Sequence, residues 1–365
     1  MAFETRDRRG ITGMAVAVAL LHLTGWGTLF AGVVPGHYGL GTTGAFGVGL
    51  GVTAYTLGMR HGFDADHIAA IDNTTRKLMG EGKRPITAGF WFSLGHSSVV
   101  FGLCLLLGLG VRALTGEITA EDSTLHAVTG LIGTLVSGGF LLLIGVLNLV
   151  SLRHIAGVFR RLRGGEFDEA ELERRLHERG FLNRVLGRVA RSVREPWHMY
   201  PLGLLFGLGF DTATEVSLLV LAGGASASAL PWYAILTLPV LFAAGMSLMD
   251  SLDGAFMNYA YGWALLTPVR KVFYNLTVTA LSVAVALVIG GVELTGLLAE
   301  RLDVRHGPLA WVAELDLSTV GYLLAGLFAV TWLVAAVVWR AGRLGQRWAP
   351  RSRWTPEPAV DQIES

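Results

Sequence analysis

Apolar runs long enough to cross a bilayer recur along this chain, and they restrict its fold more than any other feature. A helix needs about 20 predominantly apolar residues to span the hydrocarbon core. Eight runs qualify, at residues 11–34, 44–71, 86–112, 126–150, 199–222, 232–257, 272–298 and 319–339. The expected fold class is therefore an all-α polytopic membrane protein with about eight transmembrane helices. Composition agrees, because only 16% of the 365 residues are charged, against about 25% in soluble globular proteins. The 48 glycines suit helices that pack closely in lipid, where small residues let backbones approach.

The first run follows Arg6, Arg8 and Arg9 but is too long for the apolar core of a signal peptide, so it reads as a retained span. The single cysteine, Cys104, excludes an internal disulfide and reads as a small core residue. Basic residues set the orientation. With the N-terminus inside, 25 of the 29 Lys and Arg fall in cytoplasmic segments, and the external loops hold three: Arg112, Arg301 and Arg305. The positive-inside rule then gives N-in and C-in. The expected organisation is helices 1–4 over residues 1–150, a cytoplasmic loop over 151–198, helices 5–8 over 199–339 and a disordered cytoplasmic tail over 340–365. The loop carries helical periodicity with mixed charge, as a surface helix does.

Polar residues interrupt four of the runs. "RHGFDADHIAAIDNTTRK" (60–77) places Arg60, His61, Asp64, Asp66 and His67 in helix 2, with Asp72 and Asn73 as caps at its end. Helix 3 carries His96 between serines, helix 5 carries Asp211 and Glu215, and helix 6 carries Asp250 and Asp253. Arg60, Asp64 and Asp66 alone would cost roughly 8–10 kcal/mol if left charged and unpaired in lipid. Counting about 1.5 Å per residue from the inner ends puts His61, His96, Asp211 and Asp250 roughly 10–18 Å deep, near one level. Convergence at one depth argues for a single site. Glu293, by contrast, falls at the outer end of helix 7 and is expected to tolerate substitution.

Imidazole with carboxylate and no thiolate suits a first-row divalent ion such as Ni(II), Co(II) or Zn(II). Met246 and Met249 beside Asp250 read as packing. On a straight helix His61, Asp64 and His67 fall at about 0°, 300° and 240°, whereas Asp66 falls at about 140°. Either helix 2 is distorted at Gly62, or Asp66 faces another helix. The two halves also echo each other. "GFDADHI" (62–68) matches "GFDTATEV" (209–216) at an offset of 147, and "SLGHSS" (93–98) matches "SLMDSL" (247–252) at 154. An offset of three spans implies an inverted repeat of helices 2–4 and 5–7.

These motifs resemble the nickel/cobalt transporter family, the NiCoT permeases. The family's HX4DH signature is matched by His61, Asp66 and His67, and three further motifs stand as "FSLGHSSVV" (92–100), "LGFDTATEV" (208–216) and "GMSLMDSLDG" (245–254). Gly62 stands where the family often has alanine. The resemblance implies a non-enzymatic secondary transporter that imports Ni(II) and/or Co(II) across the cytoplasmic (inner) membrane. Its expected metal site draws on His61, Asp64, Asp66, His67, His96, Asp211, Glu215 and Asp250. The expected partners are a divalent transition-metal ion and the lipid bilayer, with no nucleic acid and no cofactor besides the transported substrate.

Two other readings compete. Related efflux proteins share HX4DH but typically carry a histidine-rich cytoplasmic loop, whereas loop 151–198 has only the scattered His154, His177 and His198. Membrane acyltransferases use a His-x4-Asp pair as general base, which His61 and Asp66 would match. Their downstream acidic–glycine–threonine–arginine block is absent here.

Overall fold

The computed structural model describes residues 5–39, 46–108, 124–163, 193–208, 230–264, 268–302, 304, 306–313 and 315, and parts of 323–337. Among them there is no β-strand and every described element is helical, as in a polytopic membrane protein. Among the described residues five helices are long and apolar enough to cross a bilayer: Asp7–Gly36, Ala88–Leu106, Gly130–Val150, Trp232–Gly262 and Thr279–Arg301. They match the first, third, fourth, sixth and seventh runs.

In chain order the helices are α1 (Thr5–Thr28), α2 (Val48–His61), α3 (Ala65–Gly80), α4 (Ala88–Gly108) and α5 (Thr124–Arg163). After these come α6 (Met199–Phe206), α7 (Trp232–Ala264), α8 (Pro268–Arg301) and the short α9 (Pro308–Ala313). Proline opens α8 and α9, where its missing N–H is harmless and its fixed φ suits the first turn. α5 continues through Arg163 without a break, so part of the segment expected as loop is helix. Residues 209–229, with Asp211 and Glu215, lie outside the described residues, as do most of the 151–198 loop and the tail.

The second run is two helices. α2 stops at His61, and the turn is closed by the Phe63 N–H on Arg60 O and the Asp64 N–H on His61 O, both at 2.9 Å. Asp64 takes an extended conformation (φ −64°, ψ 144°) at the N-cap of α3. Carboxylates are favoured at such a start, because the first N–H groups lack helical partners and carry partial positive charge. Asp72 and Asn73 therefore do not cap a helix end. They sit in the middle of α3, fully buried. Asp72 accepts the Tyr261 hydroxyl, and Asn73 accepts from Arg76 at 3.0 Å and Asn148 at 2.7 Å.

Glycine contacts fix the directions of the helices. Gly25 faces Leu241 and Gly32 faces Tyr233, so α1 and α7 are antiparallel. Gly138 meets Leu294 and Gly145 meets Leu287, so α5 and α8 are antiparallel. α4 and α7 are antiparallel too: Gly89 abuts Asp250, and Ser93 Oγ donates to Ser247 Oγ at 3.2 Å.

One packing arrangement occurs twice. On α2, Gly58 lies on the backbone of Phe242, and Gly245 of α7 lies on the backbone of Tyr55 and Met59. On α6, Gly203 lies on the backbone of Phe92, and Gly95 of α4 lies on the backbone of Tyr200 and Leu204. The underlying patterns are Tyr-x-Leu-Gly-x3-Gly (55–62 and 200–207) and Phe-x2-Gly-x-Ser (92–97 and 242–247). The matched contacts relate Gly58 to Gly203 and Gly95 to Gly245, at offsets of 145 and 150, against the 147 and 154 of the short sequence matches. Ser93 and Ser247, paired in that reading, are contact partners across the α4–α7 crossing. Because α4 and α7 are antiparallel, the two copies of the contact are inverted relative to each other.

Candidate metal site

The break in the second run places its two histidines. His61 ends α2, and His67 lies in the first turn of α3, so a three-residue turn folds one imidazole over the other with ring centroids 4.6 Å apart. His96 enters from α4, with its ring 4.8 Å from each of the other two. All three are buried. One ring nitrogen from each lies within 4.8 Å of the others. The tightest pair is His61 Nε2 and His96 Nε2 at 3.1 Å. Two nitrogens each about 2.0–2.1 Å from one ion stand about 3 Å apart, so that pair is already at chelating distance.

Carboxylates complete the surroundings in different ways. Asp64 Oδ2 lies 2.5 Å from His61 Nδ1. A carboxylate only accepts, so it holds the His61 proton on Nδ1 and leaves the Nε2 lone pair turned toward His96. Asp250, fully buried on α7, stands with Oδ2 3.5 Å from His67 Nδ1. Among the described residues both nitrogens of His67 and both carboxylate oxygens of Asp250 lack a hydrogen-bond partner. Buried polar atoms left so cost about 1–3 kcal/mol each, a cost that a cation between them would remove.

Asp66 turns elsewhere. Its Oδ1 accepts the His67 N–H at 2.9 Å, and its Oδ2 lies 3.4 Å from Ser137 Oγ of α5. Both alternatives raised by the helical-wheel angles hold: the run is broken, and Asp66 faces a neighbouring helix. The carboxylate on the His61 ring is Asp64.

The walls are apolar. Phe92 stands edge-on to His67 at 4.8 Å, and Phe242 lies 5.9 Å from the His61 ring. These two phenylalanines are equivalents in the repeated packing. Met246, the counterpart of His96, packs with Val100, Cys104 and Phe242 in an apolar cluster. The three clustered imidazoles all belong to the first half of the chain, and the second half contributes Asp250.

Comparison with known proteins gives the family. Residues 47–338 match a family of high-affinity nickel-transport proteins, NicO. The chain is 59% identical to the nickel transporter NicT of Mycobacterium tuberculosis over 92% of its own length and 90% of that protein's. It is 47% identical to the nickel transporter NixA of Staphylococcus aureus, covering 91% and 95%. Identity is 40% to the cobalt transport protein NhlF of Rhodococcus rhodochrous, covering 91% and 92%. No solved structure matches. A family match over four-fifths of the chain, with relatives aligned almost end to end, establishes that this protein belongs to the NicO high-affinity nickel-transport family.

Proposed function

We propose that the chain imports Ni(II) and/or Co(II) across the cytoplasmic membrane, with eight spans and both termini inside. The observation that carries the reading is the meeting of His61, His67 and His96 around a point beside Asp250. Three imidazoles and a carboxylate, without thiolate, favour a borderline divalent ion over Cu(I), Mg(II) or Ca(II). In this reading the imidazoles bind the ion with Asp250, Asp64 orients His61, and Asp66 anchors the first turn of α3. Asp211 and Glu215 enter from the sequence motif alone. The start of α3 faces the site as half-helix ends do in transporters built on discontinuous spans.

The inverted, twice-used glycine contact supports an inverted repeat of helices 2–4 and 5–7. The helix directions support single crossings, since α1, α5 and α7 each run against the neighbour that odd–even alternation requires. The relatives' names as nickel and cobalt transporters favour uptake of these two ions.

The test is uptake of radioactive nickel by cells expressing the full chain, with cobalt, zinc and manganese as competitors. Nickel should accumulate, cobalt should compete, and manganese should not. Nickel loss from preloaded cells, without accumulation, would point instead to efflux.

A further inference from the structure

Two charged residues of α3, Asp72 and Arg76, lie one turn apart and away from the metal site. Side chains so spaced have Cβ atoms about 5–6 Å apart. Asp72 is fully buried. Tyr261 of α7 and Ser282 of α8 bring hydroxyls to its carboxylate, which supply hydrogen bonds but no positive charge. Asp253 of α7 also lies in electrostatic reach, and it has the same sign. A carboxylate buried in this way calls for a countercharge.

Arg76 is held where it can serve. Its Nη1 donates to Thr279 Oγ1 of α8 at 2.9 Å, and its Nη2 donates to Asn73 Oδ1 at 3.0 Å. Asn148 of α5 donates to the same Asn73 oxygen at 2.7 Å, and a carbonyl oxygen has two lone pairs, enough for both. These acceptors are neutral, so they fix the guanidinium without cancelling its charge. Partly buried charges this close are little screened. We propose that Arg76 is the countercharge of Asp72 and that the pair, tied to α5, α7 and α8, is a positioning device for α3. His67 precedes Asp72 by about 7.5 Å along the same helix, so a rotation of α3 at Asp72 moves the His67 ring. That last step rests on the reading of the chain as a nickel transporter with His67 at the ion, whereas the charge pairing does not.

Two measurements on the full chain test this: thermal unfolding of the detergent-purified protein, and initial uptake of radioactive nickel against nickel concentration, per molecule in the membrane. Asp72→Asn keeps an acceptor for Tyr261, and Arg76→Gln keeps a donor amide, so each removes charge more than contact. Each should lower the unfolding midpoint by about 5 °C or more, as the loss of one member of a buried pair does. Each should also raise the half-saturating nickel concentration about fivefold, the size of a coupling carried through a packed network. The Asp72→Asn/Arg76→Gln double variant removes both charges and should recover most of both losses. Arg76→Lys keeps the charge and should recover them as well. Additive losses in the double variant, or Arg76→Lys as damaging as Arg76→Gln, would overturn the pairing. A harmless Asp72→Asn would overturn it too, because a carboxyl that is neutral in the fold needs no countercharge. Lowered midpoints with normal half-saturation would overturn the positioning of His67. If the single variants fail to accumulate, the double variant and Arg76→Lys decide: recovered protein supports the proposal, and its absence overturns it. An unaltered chain that takes up no nickel would refute the transport reading underneath, and the unfolding midpoints would still test the pair.

Discussion

Whether His61 can hold a cation depends on where its one ring proton sits. Asp64 keeps that proton on Nδ1, away from the ion, and fixes the ring plane as it does so. Such outer partners of a metal-binding histidine are worth about 10–100-fold in metal affinity. Asp64→Ala should therefore raise the half-saturating nickel concentration by about that factor, with normal protein in the membrane, and His61→Ala should do more. Uptake kinetics measure both. Equal, wild-type half-saturation in Asp64→Ala would show that the carboxylate does not set the tautomer. Spacing alone showed that His61, Asp64 and His67 share a side and that Asp66 does not. It did not show what Asp66 faces, because Ser137 is distant in sequence and is one of several small polar residues in an apolar run.

Among the elements, glycine sets how closely the half-helices approach their partners. A Cβ on Gly58 would stand 2.8 Å from the carbonyl carbon of Phe242, and one on Gly203 would stand 2.8 Å from that of Phe92. Backbone cannot step aside as a flexible side chain can, so Gly58→Ala or Gly203→Ala should cost about 1–3 kcal/mol through overpacking. Gly49 and Gly102 have open space at the same position. There alanine should be neutral or stabilising, since glycine in a helix interior is worse than alanine by about 1 kcal/mol. Thermal unfolding of the detergent-purified variants separates the two classes, and equal midpoints for Gly203→Ala and Gly102→Ala would refute the packing argument. Run lengths placed the long helices well, because lipid thickness dictates them. The break at Gly62–Asp64 left a weaker trace in the conflicting wheel angles. The reach of α3 to Gly80 was hidden, because polar Asp72, Asn73 and Arg76 resemble a helix end until Tyr261, Asn148 and Thr279 supply their partners.

Across the whole molecule, the helix directions and the positive-inside rule make one joint prediction. The inverted contact pairs tie α2 to α7 and α6 to α4, and under the proposed inverted repeat the two halves would face opposite sides of the membrane whichever way the chain inserts. The contacts are silent on which side is which. The basic residues decide that, with 25 of 29 Lys and Arg assigned to the inside. Cys104 is the chain's single cysteine and is buried against Phe242 and Met246, so Cys104→Ala gives a reagent-silent background that removes little volume. In that background Ser123→Cys should react with a membrane-impermeant thiol reagent in intact cells, and Gly165→Cys should react only after permeabilisation. The two positions flank the fourth run, so they report a single crossing. Reversed accessibility would invert the whole chain, and the basic loop would then lie outside. Equal accessibility of both would mean that the fourth run does not cross, which would remove the odd number of spans between the halves and the inverted repeat with it.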